Sequence, residues 1–126
     1  MLARPRPSLR LVHVDSGRVL AERLERPRSF LGRGLGLMFR RRLPAAHGIW
    51  IMPCSGIHTF FMRFPIDVLF LDRSQRIVRV YPGLGRWRLV PLVWRAHSVV
   101  ELPAGTVDGL RLRPGDQLSI ESGRLP

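Results

Sequence analysis

Short apolar runs, separated at close intervals by Gly, Pro and charged residues, dominate the hydrophobic pattern of the chain. Runs of four to eight residues bounded by turn residues are typical of β-strands. The runs that fit this description are residues 9–14, 19–24, 49–52, 58–63, 66–72, 77–81, 99–102 and 117–120. The pattern therefore predicts a mainly β protein.

Residues 66–72 form the clearest predicted strand. Ile66, Val68 and Phe70 share one face, and Leu69 and Leu71 share the other with Asp67. Because both faces are apolar apart from Asp67, we expect this strand to be covered on both sides.

Residues 28–42 have a different pattern. Ser29 is a suitable N-cap, and the apolar residues from Phe30 to Met38 follow a rough helical spacing. Gly32, Gly34 and Gly36 weaken a helix here, since each costs up to about 1 kcal/mol relative to Ala. We expect one short helix, then a loop.

The length of 126 residues is sufficient for a single domain. Residues 1–8 form a Pro/Arg-rich tail, and residues 9–126 form the predicted β-rich domain. Closely spaced strands joined by Gly and Pro turns favour a compact sandwich, a jelly-roll-like domain or a barrel.

The net charge is +12, and all 21 basic residues are Arg. Residues 1–42 carry 11 Arg against three acids, including the run at residues 40–42, whereas residues 97–126 carry a net negative charge. Such a field attracts nucleic acid, anionic lipid or an acidic protein. No helix-turn-helix, zinc-finger or ribonucleoprotein motif accompanies it, so specific nucleic-acid binding is not favoured.

The chain contains neither a secretory signal core nor an apolar stretch of the about 20 residues that a membrane span needs. The single cysteine, Cys54, excludes an internal disulfide and a multi-cysteine zinc site. We therefore expect a cytoplasmic protein with a free thiol.

Three blocks of sequence resemble a known family. The first is GLMFR at residues 36–40 with Leu43-Pro44 and Gly48-Ile49-Trp50; the second is HTFFM at 58–62 with PIDVLFLD at 65–72; the third is VELPAGT at 100–106 with Gly115-Asp116. Together, over about residues 35–120, they resemble the family named domain of unknown function 192. The resemblance implies a compact β domain of sandwich or jelly-roll type with one short helix, and no established activity or catalytic residues.

The chain departs from the pattern of that family in three places. It lacks the secretion or lipoprotein leader of many relatives, and Phe61-Met62-Arg63-Phe64 replaces a Trp-Met-Lys-Asn-Thr run. Gln75 stands at a position where a turn glycine is usual. This last change costs about 1 kcal/mol if the position requires a positive φ.

Asp67 is the only charged residue in an otherwise apolar strand. A buried carboxylate costs several kcal/mol unless it is paired or hydrogen-bonded, so Asp67 needs partners. Arg63, His58 and the backbone amides of a nearby loop are the alternatives. A carboxylate that ties a loop to the sheet is favoured over an acid in a pocket.

Cys54 and His58 are candidates for thiol chemistry, because a nearby His can activate a thiolate. Pro53 and Gly56 place them on a loop entering a strand rather than on a helix, which favours a structural thiol. Cys54, His58, Asp67 and His97 also have ligand types that suit zinc, although their spacing is not that of a known zinc motif. The sequence thus predicts no catalytic set, metal site or cofactor.

Trp87, flanked by Arg86 and Arg88 in a Gly/Pro/Arg-rich stretch, is the best indication of binding. An exposed Trp stacks on a sugar, a base or an aromatic ring, and Arg contacts an anion. A lid over the edge of the core is the alternative. Five aromatic residues supply large apolar area, and most of them are expected to lie in the core: Trp50, Phe60, Phe61, Trp87 and Trp94.

These observations favour a non-enzymatic module that binds an anionic ligand, a carbohydrate or an acidic protein surface. The candidate binding residues are Asp67, His58, Cys54, Arg63, Trp87, Arg86 and Arg88. An enzyme or metal site with a Cys/His/Asp pocket is the first alternative. Non-specific association of the Arg-rich N-terminal third with nucleic acid is the second.

Overall fold

The computed structural model describes residues 8–27, 43–59 and 62–123, and within these ranges it contains nine strands and no helix. The strands are β1 (Ser8–His13), β2 (Val19–Glu25), β3 (His47–Ile51), β4 (Ile57–His58), β5 (Ile66–Leu71), β6 (Ile77–Leu84), β7 (Leu89–Val90), β8 (Ser98–Pro103) and β9 (Leu118–Gly123). The mainly β fold is therefore confirmed.

Seven strands form one sheet in the order β6-β5-β8-β3-β2-β1-β9. Only β2 and β3 pair in parallel; the other neighbouring strands are antiparallel. A second, two-stranded sheet consists of β4 and β7, in which His58 pairs with Leu89.

The large sheet curls into a half-barrel, because the beginnings of its two edge strands are joined. The Leu118 amide, at the start of β9, donates to the Gln75 carbonyl before β6 at 3.0 Å. Ile77 in β6 exchanges backbone hydrogen bonds with Asp116 (2.9 Å) and Gly115 (2.7 Å). The curl gives the sheet an inner and an outer face.

Two hydrophobic clusters cover these faces. The inner cluster draws on strands at both ends of the curl, including Ile77 of β6 and Leu118 of β9. The outer cluster contains alternate residues of β3 and β5 and is covered by Met62, Val90 and Val93. All six residues of β5 are buried, which confirms that this strand is covered on both sides.

Several details differ from the sequence-based expectations. β1 begins at Ser8, the last residue of the predicted tail, and β6 continues to Leu84. Of the strand predicted at residues 58–63, only His58 lies in a strand among the described residues, since β4 is Ile57–His58 and neither Thr59 nor residues 62–63 belong to a strand. The Thr59 carbonyl accepts from the Met62 amide at 3.2 Å. The predicted helix and the arginine run at residues 40–42 lie outside the described residues.

Across the described ranges, no helix is long and apolar enough to cross a membrane.

Candidate functional site

Asp67 is fully buried, and two backbone amides satisfy its carboxylate. Opposite Asp67, β6 carries a β-bulge, in which Pro82 and Gly83 face one residue of β5. Asp67 Oδ1 accepts from the Gly83 amide at 2.7 Å, and Oδ2 accepts from the Val107 amide at 2.9 Å. The carboxylate therefore ties the bulge and the loop after β8 to the sheet.

A groove of about 430 Å³ lies beside this bulge, lined by residues 81–85 and 88–91. Gly83, whose amide donates to Asp67, is one of the residues that line this groove. Arg88 is the one charged residue among the lining residues, and its side chain is exposed. The groove is therefore mostly apolar, with a cation at its rim.

Thr59 is buried, with 1% of its surface exposed, and it fixes the far wall of the groove. Its hydroxyl donates to the Gly85 carbonyl at 2.7 Å and accepts from the Arg88 amide at 2.8 Å. Its own amide donates to the Arg88 carbonyl at 2.8 Å. Sequence reasoning missed Thr59, because its partners lie 26 and 29 residues away and leave no local pattern.

Residues 86–95, here called the 86–95 segment, follow the groove and expose an unusual amount of apolar surface. The exposed fractions are 57% for Trp87, 63% for Leu89, 75% for Leu92 and 79% for Trp94. Trp87 is thus exposed, as expected for a loop Trp between two arginines. Of the five aromatic residues expected to lie mostly in the core, Trp50 is buried, Trp94 is exposed because Val93 takes the buried position beside it, and residues 60 and 61 lie outside the described ranges.

The backbone of the 86–95 segment is nonetheless well anchored. Val90 and Val93 are buried in the outer cluster, at 8% and 4% exposure. The Val93 amide donates to the Ser55 carbonyl at 2.7 Å. Leu89 and Val90 also form β7 against β4. The exposed side chains therefore project from a fixed backbone.

The arginines predicted to contact a ligand are all exposed, but they differ in their contacts. Arg86 donates from Nε to the Met62 carbonyl at 2.9 Å, so part of its guanidinium is engaged. No carboxylate of the described residues forms an ion pair with Arg63, Arg88 or Arg95. Arg88 is the only one of these at the groove.

Cys54 and His58 belong to the support beneath the 86–95 segment. The half-buried Cys54 thiol donates to the Gly56 carbonyl at 2.9 Å. Gly56 in turn packs so closely against the Pro91 carbonyl that only a glycine fits without a shift. His58 is exposed on β4. Neither Cys54, His58 nor Asp67 is among the residues that line the groove.

A different corner of the fold holds a titratable cluster that the sequence did not indicate. The His13 ring lies 2.7 Å from Ser16 Oγ through Nδ1 and 3.1 Å from Asp116 Oδ2 through Nε2. His13, Asp15 and Asp116 form the one group of potential metal ligands whose ligand atoms the described ranges bring within 4.8 Å of one another. The four-residue set around Cys54 is not such a group. His13 joins the β1–β2 turn to the turn before β9.

Comparisons with known proteins agree with this fold. A crystal structure from Novosphingobium aromaticivorans DSM 12444, of a protein of unknown function, superposes with a TM-score of 0.74 at 22% identity, covering 89% of this chain and 83% of that one. A candidate transcription regulator from Sinorhizobium meliloti 1021 gives the same TM-score at 25% identity, covering 95% and 97%.

Sequence comparisons identify the family. A UPF0127 protein of Pyrococcus horikoshii is 37% identical over 95 residues, which are 71% of this chain and 80% of the relative. A UPF0127 protein of Pyrococcus furiosus is 31% identical over 113 residues, 86% of this chain and 95% of the relative. The family model DUF192, described as "Uncharacterized ACR", matches residues 12–120. The chain therefore belongs to the DUF192 family, and the relatives that it matches carry the name UPF0127.

Proposed function

We propose that the protein is a non-enzymatic binding module that holds an anionic ligand at the groove between the β6 bulge and the 86–95 segment. The observation that carries this proposal is the position of Arg88, an exposed cation without a carboxylate partner among the described residues, at the rim of an apolar groove. A guanidinium in this position offers several donors to a carboxylate, phosphate or sulfate.

The backbone around Arg88 supports a site that is formed before the ligand arrives. Thr59 holds both the amide and the carbonyl of Arg88, and Asp67 holds Gly83 on the opposite wall. A ligand would therefore have only side chains to order, which lowers the entropic cost of binding. Trp87 and Arg86 adjoin Arg88 and extend the surface beyond the groove.

The contacts of Asp67 and Cys54 favour binding over catalysis. Both Asp67 oxygens accept from amides and the residue is fully buried, so no proton of a ligand in the groove has direct access to it. The Cys54 thiol donates to the Gly56 carbonyl at 2.9 Å, and Cys54 is not among the residues that line the groove.

The test is calorimetric titration with polyphosphate, a sulfated glycan, a neutral oligosaccharide and duplex DNA, each across a salt series. We expect polyphosphate and the sulfated glycan to bind, and Arg88→Ala to weaken their binding about tenfold, because one charge-assisted contact is lost. Arg73→Ala is the matched control, since Arg73 is exposed in the β5–β6 turn away from the groove.

Binding that is indifferent to salt, to Arg88→Ala and to Trp87→Ala would contradict the proposal. If the protein preferred the neutral oligosaccharide, the proposed ligand would be a carbohydrate and not an anion. Binding of DNA alone with a steep salt dependence would favour the arginine-rich N-terminal third instead.

A further inference from the structure

Apolar exposure is concentrated in one short stretch of the chain. Six large hydrophobic side chains are exposed among the described residues, and four of them lie within residues 87–94. The two others, Val14 and Val19, belong to the β1–β2 hairpin and are less exposed, at 48% and 37%. Exposed apolar residues scattered singly need no explanation, whereas a cluster of this kind marks an interaction surface.

The cluster extends beyond the groove described above. The lining of the groove ends at Pro91, so Leu92 and Trp94, the two most exposed of these side chains, lie outside it. A small anion in the groove would leave both exposed. They therefore require an occupant larger than such a ligand.

The shape and charge of the 86–95 segment indicate what that occupant is. Trp87 and Trp94 lie in turns, and both turns contain a residue with a positive φ, Trp87 itself and Arg95. Both aromatic side chains are thus carried on turns, and neither is among the residues that line the groove. The segment carries three arginines, Arg86, Arg88 and Arg95, and no acidic residue.

We propose that the 86–95 segment docks the protein on an anionic lipid bilayer, with Leu92 and Trp94 in the interface and Arg88 and Arg95 against the headgroups. Indole rings prefer the bilayer interface, where an apolar body meets a polar edge. Burial of Trp and Leu and attraction of Arg to anionic lipid together give membrane-surface binding. Because Val90 and Val93 already anchor the backbone, docking requires no folding of the segment.

This inference rests on the proposed function, since it names a lipid surface as the partner of the same anion-binding segment. Nucleic acid is a weaker match, because phosphate contacts leave the exposed Leu89 and Leu92 unexplained. An acidic protein surface is the remaining occupant, and the experiment includes it.

The experiment measures co-sedimentation of the full chain with vesicles, and its Trp emission, at low and high salt. Vesicles of phosphatidylcholine with phosphatidylglycerol are compared with vesicles of phosphatidylcholine alone. We expect at least about tenfold tighter partitioning to the anionic vesicles at low salt, lost at high salt, with a blue shift of the emission.

Leu92→Ser combined with Trp94→Ser should reduce this partitioning by about tenfold or more, because both side chains lose their apolar burial. Trp87 still reports the emission in this variant. Val14→Ser combined with Val19→Ser is the matched control, which removes exposed apolar side chains outside the segment and should partition like the parent. Arg95→Gln should weaken binding to anionic vesicles, and Arg73→Gln should not.

The inference is overturned if the parent chain does not partition, or if the Leu92/Trp94 variant partitions as well as the parent. Binding to soluble polyphosphate without binding to vesicles would leave the proposed function in place and remove the lipid partner. Binding to polyglutamate, but not to vesicles, through Leu92 and Trp94 would also remove it, in favour of an acidic protein. If the chain bound neither vesicles, polyphosphate nor polyglutamate, both the proposed function and the lipid-docking inference would be wrong.

Discussion

At the scale of single residues, Asp67 shows how a buried charge can serve structure. The bulge at Pro82 and Gly83 takes the Gly83 amide out of the regular pairing of the strands, and the carboxylate supplies the missing acceptor. The second oxygen does the same for Val107. Of the partners considered from the sequence, the backbone amides are the ones that the structure contains.

Asp67→Asn should destabilise the protein by about 2–4 kcal/mol, because the amide group of Asn turns a donor toward one of the two N–H groups and leaves it unsatisfied. Urea denaturation measures the change. Asp108→Asn, at an exposed position in the loop after β8, is the control and should stay within about 0.5 kcal/mol of the parent. A loss below about 1 kcal/mol for Asp67→Asn would contradict this account.

Gln75 is the second informative residue, because it has a φ of 60° in the turn between β5 and β6. The position therefore has the positive φ at which a residue other than glycine costs about 1 kcal/mol of stability. Gln75→Gly should stabilise the protein by about 0.5–1 kcal/mol, since glycine adopts this conformation without steric strain.

The neighbouring substitution Ser74→Gly tests whether the gain at Gln75 depends on φ. Ser74 does not have a positive φ, so the same change there should destabilise by up to about 1 kcal/mol through chain entropy alone. Equal effects at the two positions, measured as midpoint shifts in thermal unfolding, would refute the argument.

At the scale of elements, long strands are easier to predict from the sequence than short ones, because a longer strand shows more of its hydrophobic pattern. β5 is evident from the sequence, because five of its six residues are apolar and they occupy both faces of the strand. β4 and β7 have two residues each, too few to show a period. Their pairing also brings together residues more than 30 positions apart, and Thr59 reaches its partners in the same way. The contacts that support the candidate site, namely the β4–β7 pairing and the hydrogen bonds of Thr59, could therefore not be predicted from local sequence. The candidate residues Arg86, Trp87 and Arg88 could.

Gly56→Ala should separate β4 from β7. The new Cβ would overlap the carbonyl oxygens of Val90 and Pro91, so the 86–95 segment must move outward, at a cost of about 2 kcal/mol. Hydrogen exchange of the amides in the 86–95 segment should accelerate, since their partners in residues 55–59 shift.

Gly85→Ala is the control for this prediction, because nothing lies within 4 Å of the added Cβ and its φ is not positive. It should leave both stability and exchange close to the parent. If Gly56→Ala behaved like Gly85→Ala, the close approach of β4 and β7 would not be what holds the segment in place.

At the scale of the whole molecule, the curl of the sheet joins strands from both of its edges, so we expect the described strands to unfold as one cooperative unit. The inner cluster draws on strands from one edge to the other, and Leu118 of β9 is 1% exposed within it. The sequence predicted a closed or layered β fold, but not which strands are neighbours. The parallel pairing of β2 with β3 and the return of β9 to β1 depend on contacts that leave no trace in local periodicity.

Leu118→Ala should lower the free energy of unfolding by about 2–4 kcal/mol, because it leaves a cavity in the inner cluster. We expect the loss to be global, so that circular dichroism and Trp fluorescence report one coincident transition. Leu92→Ala, at a residue 75% exposed, should change stability by no more than about 0.5 kcal/mol. Two separate transitions in the Leu118 variant would show that the sheet unfolds in parts.

The neighbours of β1 have a consequence for how the protein is made. β1 lies between β2, which follows it directly, and β9, the last strand in the chain. During synthesis, a nascent chain can form the β1–β2 hairpin early, but the other edge of β1 must wait until the ribosome has translated residues 118–123. We therefore expect β1 to gain its second neighbouring strand only after residues 118–123 have left the exit tunnel.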